Sequence, residues 1–495
     1  MIVLSAVLLI LAFPKTDWWI LSWTDLIPLL LVLDQKNKGR AFLSAYLTGV
    51  IFFWGVLYWL IHVTVLGATL LIFYLSVYFG LFGIFYSAFA KETITKKLFL
   101  LPAAWVSLEF LRAHLLTGFG WAALGHSQSK NLMMIQIADI TGVYGISFLI
   151  VMVNLFLKEY LKEIWSGQVI NVMVFKNSGG VITTVVFLVY FAYGCFTFGF
   201  NMFLFGKPRK AAVGVVQGNI EQDLKWESQE WPDIFQKYLK LTKEASSRHP
   251  EIIIWPETSF PGYVWEAPEL FEELKEFVAK IKIPILVGLV RLVYDDYFNS
   301  AVLVSSNGHV IKEHDKMRLV PFGEYIPLRN WLPFLEAIVP IGDFTPGKRY
   351  TLFPINPDGR KKGTFGVLIC FEDTIPEISR RFVQEGADFL VNITNDAWFK
   401  DTKAPYLHMQ NSVFRTIENR RSLVRSANTG VSCMINSFGK IVNFVQDKQK
   451  KKTYVEGIMF DYVPLGETDT FYTKFGDIFT YLCFGGILWG MIRRG

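Results

Sequence analysis

The hydrophobic pattern divides the chain into two kinds of sequence. Residues 1 to about 205 are dominated by long apolar runs, whereas residues 206–470 mix short apolar runs with charged stretches. Residues 475–492 are apolar again. An apolar run of about 20 residues is long enough to cross a bilayer as a helix. We therefore predict a membrane domain at 1–205, a water-facing domain at 206–470 and a last membrane helix at 475–492.

Seven candidate membrane helices precede the water-facing domain, and one follows it. They lie at residues 1–13, 17–33, 41–62, 67–90, 98–115, 143–160, 181–203 and 475–492. The first two are short for a span of about 20 residues, so a hairpin broken at Pro14 is an alternative to two full crossings. The pattern predicts a polytopic α-helical domain with about eight transmembrane helices.

Basic residues are concentrated in alternate connections of the apolar half. They are Lys36, Lys38 and Arg40, then the three lysines of 91–97, then Lys158, Lys162 and Lys176, and finally Arg493 and Arg494. Short loops rich in Lys and Arg stay in the cytoplasm. If the N-terminus is cytoplasmic, all these stretches share that side. Both termini are then expected to be cytoplasmic, with the 206–470 domain on the opposite, extracytoplasmic side.

Two polar features interrupt the apolar half. Glu109 and Arg112 lie three residues apart in one candidate span, so they share a helix face. Charges inside a span are costly and mark either function or a structural pair; the structural pair is the simpler interpretation. Thr117–Gln128 is polar and aromatic, and we expect it to form a loop on the outer side.

The water-facing domain alternates strand-like and helix-like segments. Strands are predicted at 213–219, 251–257, 285–290, 300–306, 310–311, 366–370, 387–394, 423–427, 431–436 and 441–445, and helices at 235–247 and 270–282. Asn307-Gly308 is the dipeptide of a two-residue hairpin turn. Alternation of this kind predicts a layered α/β domain.

Composition excludes several functional classes. Hydrophobic residues make up 52% of the chain and the mean hydropathy is +0.33, which is unusual for a soluble enzyme. The net charge is +6, and no Lys/Arg cluster alternates with aromatic residues, so nucleic acid is not an expected partner. The four cysteines form no CxxC and no Cys/His cluster. We therefore expect neither a disulfide framework nor a metal site.

Three reactive residues follow predicted strands. Cys370 lies in Gly-Val-Leu-Ile-Cys-Phe-Glu-Asp at 366–373, Glu257 follows Ile-Ile-Ile-Trp-Pro, and Lys316 follows the hairpin. A cysteine acts as a nucleophile once a base takes its proton, and an ammonium stabilises the thiolate and an oxyanion. Each residue alone has an ordinary structural interpretation, such as a buried cysteine that packs as a small hydrophobe.

Taken together, the motifs resemble the nitrilase superfamily, whose signature is Glu, Lys and Cys in this chain order on an αββα sandwich. With the apolar half, the chain is similar to the apolipoprotein N-acyltransferase family, bacterial enzymes of lipoprotein maturation. The resemblance covers nearly the whole chain. The segments that carry it are Ile254–Glu257, Leu319–Pro327, Ile369–Glu372 and Asn395–Phe399, with Leu115–Phe119 and Val215–Asn219 in support.

The resemblance implies roles for nine residues. Glu257 is the expected general base, Lys316 the oxyanion stabiliser and Cys370 the nucleophile. Glu324, Phe371 and Glu372 are expected to support the site, and Trp226, Asn395 and Trp398 to bind substrate. Phe371 departs from the family, which often has Tyr there, so a hydroxyl role is lost while the backbone N–H remains.

The resemblance also implies a reaction and its partners. An acyl chain passes from a phospholipid, through a thioacyl-cysteine intermediate, to the α-amine of a diacylglyceryl-cysteine at the N-terminus of an apolipoprotein. We expect no cofactor, a monomer, and a location in the bacterial cytoplasmic (inner) membrane with the catalytic domain on the periplasmic side.

Two alternatives and one further hypothesis accompany this interpretation. A membrane-tethered nitrilase-type amidase would pass the acyl group to water, although an amidase needs an anchor rather than seven spans. A transporter or receptor would carry an inactive domain. The segment Pro327–Phe344 is rich in apolar and aromatic residues, and we expect it to form an arm that enters the lipid; a loop packed on the domain is the alternative.

Overall fold

The computed structural model describes residues 1–34, 36–165, 178–200, 209–326, 343–359, 362–466 and 468–493. Its contacts separate two units, which we call the helical unit and the sheet unit. The helical unit comprises Met1–Gly206, Thr402–Glu418 and Thr470–Gly495, and the sheet unit comprises Lys207–Asp401 and Asn419–Asp469. Most of the proposed lipid-entering arm, residues 327–342, lies outside the described residues.

The helical unit contains the following helices: α1 (Ile2–Leu11), α2 (Ile27–Leu33), α3 (Lys38–Leu57), α4 (Val65–Ala88), α5 (Ile94–His114), α6 (Leu132–Ile135), α7 (Ala138–Thr141), α8 (Val143–Trp165), α9 (Ser178–Cys195), α13 (Ala404–Asn419, all but its last residue), α14 (Phe471–Phe475) and α15 (Ile478–Ile492).

Within the described residues, four helical stretches are long and apolar enough to cross a membrane. They are Lys38–His62, Val65–Ala88, Val143–Trp165 and Gly179–Gly199. The expectation of about eight transmembrane helices is therefore not confirmed. The segments at 1–13, 17–33 and 475–492 contain only shorter apolar helices, and α5, which carries Glu109 and Arg112, is not among the four.

Small residues let α3 and α4 approach closely. A side chain at Gly49 would overlap Phe79, and a side chain at Gly83 would overlap the backbone of Ala41. Small residues at helix contacts are the usual means of close packing between membrane helices. Packing matters there because lipid tails are as apolar as the helices, so no hydrophobic effect drives the helices together. Phe79 also packs edge-to-face on Trp105 of α5, with ring centroids 5.0 Å apart.

The polar residues of α5 hold a neighbouring segment. Glu109 Oε1 accepts hydrogen bonds from the backbone N–H of Leu124 (2.7 Å) and from the indole of Trp105 (2.8 Å). Arg112 donates to the carbonyl of Trp121 at 2.7 Å. Residues 121–128 are buried and include a short 3₁₀ helix, Leu124–Gln128, so this part of Thr117–Gln128 is packed within the helical unit; its position on the outer side stays a prediction. The buried carboxylate and guanidinium satisfy backbone groups that would otherwise be orphaned.

The sheet unit contains twelve described strands and three helices. The strands are β1 (Lys210–Gln217), β2 (Ile252–Ile254), β3 (Ile285–Val293), β4 (Asp296–Val304), β5 (Val310–Asp315), β6 (Leu352–Pro354), β7 (Thr364–Ile369), β8 (Phe389–Thr394), β9 (Leu423–Ala427), β10 (Cys433–Ile435), β11 (Ile441–Phe444) and β12 (Gly457–Pro464). The helices are α10 (Trp231–Ser246), α11 (Pro268–Ile281) and α12 (Pro376–Gln384).

The strands form two six-stranded sheets. The first has the order β12-β1-β2-β3-β4-β5 and the second β11-β10-β9-β8-β7-β6. Strands β1, β2 and β3 run parallel, as do β7, β8 and β9, and the outer strands pair antiparallel. Strand β5 therefore points the same way as β2 and β3, and its carboxyl end lies at their edge.

Apolar side chains from both sheets form one shared core. Val213, Ile254 and Leu286 of the first sheet meet Val367, Val391 and Val424 of the second in this core, all at 2% exposure or less. Helices α10 and α11 cover the outer face of the first sheet through a second core that includes Phe235 and Leu274. Helix α12 packs on β7, where Gly366 leaves room for Phe382. The predicted layered α/β architecture is present as a two-sheet sandwich with helices outside.

Candidate active site

The reactive residues predicted from the sequence follow four strands of the sandwich. Glu257 comes three residues after β2, and Lys316 directly follows β5 in the same sheet. Cys370 directly follows β7, and Asn395 directly follows β8, in the second sheet. The carboxyl ends of neighbouring strands that share a direction meet at one edge, which is the usual place for a site in an α/β domain. The hydrogen bonds below join the four strand ends.

The Glu257 carboxylate is buried and held by three donors. Its Oε1 accepts from the side-chain amide of Asn299 at 2.8 Å and from Lys316 Nζ at 3.3 Å. Its Oε2 accepts from the backbone N–H of Asn395 at 2.9 Å. The last bond ties the first sheet to the second across the core. These three donors, one of them a cation, hold the carboxylate in a fixed orientation.

The Lys316 ammonium lies between two carboxylates. It donates to Glu324 Oε1 at 2.9 Å as well as to Glu257, and its side chain is 1% exposed. Burial opposes the charge, but the carboxylates of Glu324 and Glu257 prevail and raise the pKa of Lys316 well above its usual range. Lys316 is therefore a permanent cation that can stabilise negative charge without exchanging its proton.

Asn299 joins the two glutamates. The amide donates to Glu324 Oε1 at 2.8 Å as well as to Glu257, so one side chain fixes the separation of both carboxylates. Glu324 is further held through Oε2 by the backbone N–H of Val320 at 2.8 Å. Sequence analysis missed Asn299. The available signal was a polar residue at a buried position of β4, next to the predicted hairpin strand.

Cys370 lies at a sharp turn where β7 ends. Its φ of +57° is in the left-handed region, which a residue with a side chain occupies at a cost. Burial raises the pKa of the thiol, as does the facing Glu257 carboxylate, while the Lys316 ammonium lowers it. The thiol is therefore protonated at neutral pH. A reaction at Cys370 requires a base to take that proton, and Glu257 is the carboxylate whose charge acts most strongly on the thiol.

Residues 371 and 372 connect the cysteine turn to the lysine. The Phe371 ring lies 5.5 Å from Lys316 Nζ, a cation–π contact. The Glu372 carboxylate accepts three backbone N–H bonds, from Met317 (2.6 Å), Arg318 (3.0 Å) and Ile369 (2.8 Å). Burial nevertheless raises the pKa of Glu372 to about 7. Glu372 thus positions the segment after Lys316 against the strand before Cys370.

Lys225 is a second buried lysine beside Glu257, and sequence analysis did not identify it. Its Nζ donates to the carbonyl of Glu257 at 3.2 Å and to the hydroxyl of Thr258. Burial lowers the pKa of Lys225 to about 7. Trp226 follows it, 39% exposed, with its ring 5.5 Å from that of Tyr263. The predicted substrate-binding tryptophan is therefore accessible, and it directly follows a residue that contacts Glu257.

The two other residues expected to bind substrate have different surroundings. The side-chain amide of Asn395 donates to Gln222 at 2.7 Å and accepts from Asn428 at 3.0 Å, so only its backbone N–H contacts Glu257. Trp398 is 51% exposed, in the short helix Asp396–Phe399. The geometry brings Glu257, Lys316 and Glu324 into one hydrogen-bonded group, and the charges of this group act on the Cys370 thiol.

This fold and group of residues define a class of protein. A buried Glu–Lys pair facing a cysteine, at the strand ends of a two-sheet sandwich, is the arrangement of the carbon-nitrogen hydrolases. Residues 212–463 match the family model described as "Carbon-nitrogen hydrolase". Residues 5–156 match a second model, "Apolipoprotein N-acyltransferase N-terminal domain".

The relatives identify the family within this class. The chain is 37% identical over 503 residues to the apolipoprotein N-acyltransferase of Geobacter metallireducens, covering 98% of this chain and 93% of the relative. It is 30% identical over 462 residues to that of Vibrio cholerae, covering 87% of this chain and 85% of the relative. The chain therefore belongs to the apolipoprotein N-acyltransferase family and is an acyltransferase.

Comparison with solved structures gives a weaker similarity. An amidase from Nesterenkonia sp. aligns with a TM-score of 0.41 at 14% identity, covering 57% of this chain and 98% of the amidase.

Proposed function

We propose that this enzyme moves a fatty acyl chain from a phospholipid to the α-amine of the N-terminal diacylglyceryl-cysteine of an apolipoprotein. The reaction follows a ping-pong course through a thioester on Cys370. The observation that carries the proposal is the buried Glu257–Lys316 pair, with its 3.3 Å contact, facing a cysteine whose thiol needs a base. The family named above supplies the substrate class.

In the first half-reaction, Glu257 takes the proton of the Cys370 thiol as sulfur attacks the ester carbonyl carbon of the phospholipid. The resulting oxyanion is stabilised by Lys316 and by the backbone N–H of Phe371. The carbon–oxygen bond to glycerol then breaks, and Glu257 returns the proton to the departing oxygen. The products are a thioacyl-enzyme and a lysophospholipid.

In the second half-reaction, the α-amine nitrogen of the diacylglyceryl-cysteine attacks the thioester carbonyl. Glu257 takes the proton that the amine loses, and the same two donors stabilise the second oxyanion. The carbon–sulfur bond breaks and the proton returns to sulfur. The acceptor leaves as an amide, and Cys370 is ready for another phospholipid.

Glu324 and Glu372 support this chemistry without reacting. Glu324 holds the far side of the Lys316 ammonium, and Glu372 positions the backbone beside Lys316 against the cysteine turn. We assign Trp226, Asn395 and Trp398 to substrate binding; the two tryptophans offer exposed aromatic rings for acyl chains. No cofactor takes part in any step as written.

We further propose that residues 206–470 form the catalytic domain on the periplasmic side, between a membrane domain at 1–205 and a last membrane helix at 475–492. The support is the distribution of basic connections, with Lys36, Lys38, Arg40 and the lysines of 91–97 on the cytoplasmic side. Placing the catalytic cysteine on the outer side brings it to the lipid anchors of both substrates.

The proposal is tested by trapping the intermediate. Purified enzyme in detergent is incubated with a phospholipid that carries a labelled acyl chain, and the peptide containing Cys370 is analysed by mass spectrometry. We expect its mass to increase by one acyl group. Addition of a diacylated lipopeptide with a free α-amine should discharge the label into an amide. Cys370→Ala should abolish the adduct, whereas Cys195→Ala, at an exposed cysteine of the helical unit, should not.

The amidase alternative, which the relatives do not favour, predicts a different outcome. Water would then discharge the thioester as fast with the lipopeptide present as without it, and a small amide would be hydrolysed faster than phospholipid is consumed. An inactive domain in a transporter or receptor predicts no adduct at all. Either result would overturn the acyl-transfer proposal.

A further inference from the structure

A buried cluster of charges lies behind the cysteine turn, and no step of the proposed reaction uses it. Arg425 of β9, Asp373 and Asp396 are each 0% exposed. Arg425 Nη1 donates to Asp373 Oδ2 at 2.8 Å, and Nη2 donates to Asp396 Oδ2 at 3.2 Å. One guanidinium therefore links two carboxylates from two different loops.

The first of these loops carries the nucleophile. Asp373 lies three residues after Cys370 in the same short helix, Cys370–Thr374. Arg425 Nη1 also donates to Asn392 Oδ1 at 2.7 Å, and the amide of Asn392 donates to the carbonyl of Cys370 at 2.8 Å. Arg425 thus reaches Cys370 by two routes, through Asp373 and through Asn392.

The sheet register makes the second route possible. Asn392 pairs with Leu368 of β7 on one side and with Arg425 of β9 on the other. The three residues form a row across parallel strands, and Asn392 also donates to the carbonyl of Leu368 at 3.1 Å. The amide is therefore fixed on both sides, and it holds the last residues of β7 where the left-handed conformation of Cys370 begins.

The second loop carries the support of the proposed base. Asp396 directly follows Asn395, whose backbone N–H donates to Glu257 Oε2. An arginine that fixes Asp396 therefore fixes the position of this N–H. The same guanidinium controls the cysteine turn and one of the three donors that orient the Glu257 carboxylate.

A guanidinium buried with two carboxylates is not the most stabilising way to fill a core. Well-packed apolar residues are often as stable as buried ion pairs or more so, because the charges lose their hydration. What an ion cluster adds is a fixed orientation of its members, since a guanidinium donates hydrogen bonds to its partners in one plane at fixed distances. Both loops that Arg425 joins lead directly to a reactive group.

We propose that Arg425 is a positioning residue that sets the relative placement of Cys370 and Glu257, acting through Asn392 and Asp373 on one side and Asp396 on the other. This inference rests on the proposed function of Cys370 and Glu257. In this role Arg425 acts through other residues and not on the substrate. Its effect is the alignment of the thiol with its base, so its loss should slow acylation rather than weaken lipid binding.

The test compares Arg425→Lys with Asn392→Leu. Lysine keeps the positive charge but cannot contact Asn392, Asp373 and Asp396 in one plane, and leucine removes the bond to the Cys370 carbonyl without adding charge. For folded protein in detergent, we expect the single-turnover rate of thioester formation to fall about 10- to 100-fold, as for a reacting pair misplaced by less than 1 Å. The KM for phospholipid should change less than about twofold, because the substitutions leave the contacts that bind the phospholipid before the reaction unchanged.

A second readout does not depend on acyl transfer. Alkylation of Cys370 by iodoacetamide reports how readily the thiol loses its proton. Both variants should move the alkylation profile away from that of the wild type, because the charges of Glu257 and Lys316 that act on the thiol change their distance from it. If wild-type enzyme forms no thioester, the proposed function fails, but this profile still tests the positioning role. Arg415→Lys is the matched control, because it alters a buried arginine–glutamate pair, with Glu418, in the helical unit. It should lower the melting temperature and leave the profile unchanged.

A purely structural role predicts another pattern. Both variants would then melt at lower temperature, like Arg415→Lys, while their folded fractions kept the wild-type acylation rate and alkylation profile. That result would overturn the proposal. If Arg425→Lys does not fold, the test rests on Asn392→Leu alone. An Asn392→Leu enzyme with the same kinetics as the wild type would contradict the route through the Cys370 carbonyl.

Discussion

At the residue scale, the site is built on one cation between two anions. Lys316 neutralises part of the charge of Glu257 and Glu324, and the Asn299 amide bridges both carboxylates. A buried anion is costly unless it is paired and hydrogen-bonded. The arrangement places a hydrogen-bonded carboxylate beside a thiol whose pKa burial raises, which is the combination that a general-base mechanism needs.

The first prediction concerns Asn299. In Asn299→Leu, both glutamates lose a donor and can move apart, so we expect the rate of thioester formation to fall about tenfold. That loss corresponds to about 1.5 kcal/mol, the lower end for a hydrogen bond to a charged group. The measurement is the single-turnover acylation rate. Ser300→Ala is the matched control, since the Ser300 hydroxyl donates to Asp315 and not to the glutamates. Equal rates in wild type and Asn299→Leu would contradict this account.

At the element scale, the strands place the reactive groups by coming unusually close to the loops that follow them. Gly288 of β3 is the clearest case, because a Cβ there would lie 2.7 Å from the Glu257 Cα and would also overlap the carbonyl of Pro256. The Gly288 carbonyl accepts bonds from Phe260 and Ser259, so β3 supports the loop after Glu257. A strand with any other residue at 288 would push the base away.

The second prediction follows from this close approach. Gly288→Ala should destabilise the protein by about 1–3 kcal/mol through overpacking and should displace Glu257. We expect thioester formation to slow by more than the folded fraction accounts for, as measured by acylation rate per folded molecule. Gly457→Ala in β12 is the control, since its Cβ would meet only the terminal methyl of Val445 at 3.0 Å. A normal rate per folded Gly288→Ala molecule would show that the base had not moved.

The third prediction concerns β5 and acid. His314 is 1% exposed near the end of β5, packed edge-to-face on Phe382, and burial lowers its pKa to about 4. Because an unfolded histidine has a pKa near 6.5, the unfolded chain binds the proton more tightly. Stability from the neutral ring is therefore present above pH 6.5 and is lost as pH falls toward 4, by about 3 kcal/mol.

This loss is measurable as a melting temperature that falls between pH 6.5 and 4.5. His314→Gln cannot take up the proton in this range, so its melting temperature should fall less steeply. His249→Gln, at an exposed histidine, should follow the wild-type slope. Parallel slopes in wild type and His314→Gln would exclude His314 as a source of acid sensitivity. Lys316 lies two residues after His314. Protonation of His314, which destabilises the end of β5, should therefore also disturb the site.

At the scale of the whole molecule, one chain combines long apolar helices with a carbon-nitrogen hydrolase domain. The described residues include four helical stretches able to cross a bilayer, and the family match covers both parts of the chain. A water-soluble amidase needs no such helices. For an enzyme whose proposed donor and acceptor are both lipid-anchored, membrane attachment confines enzyme and substrates to one surface and raises their effective concentration.

The fourth prediction tests the orientation. Lys38→Cys, at the start of α3, and Lys243→Cys, on the exposed side of α10, are treated in intact spheroplasts with a membrane-impermeant maleimide. We expect labelling at position 243 without permeabilisation and at position 38 only after it, with the unaltered chain as background. Labelling of both positions in intact spheroplasts would contradict the proposed topology.

Hydrophobic periodicity by itself determined most of the secondary structure of the sheet unit. The predicted strands at 285–290, 366–370, 387–394 and 423–427 lie within one to three residues of β3, β7, β8 and β9, because buried parallel strands are continuous apolar runs. Strands β6 and β12 were missed, since Leu352–Pro354 is short and Gly457–Pro464 mixes exposed with buried positions. Counting hydrophobic runs gave seven spans in the apolar half and one after the water-facing domain, because such a count does not separate a membrane-crossing helix from a shorter apolar one.

Only the tertiary structure decided which groups meet. The motifs named Glu257, Lys316 and Cys370, but the strand order and register bring them to one edge, and that register is set by contacts between residues far apart in the chain. Local sequence does not assign Asn299, Lys225 and Arg425 to the site, because the role of a buried polar residue is recognisable only through its partners. The Asn395 side chain shows the same limit, since its motif does not reveal its contacts with Gln222 and Asn428. Local sequence determines the strands because backbone and side-chain preferences act over a few residues, whereas a site is assembled from hydrogen bonds that only the folded chain can form.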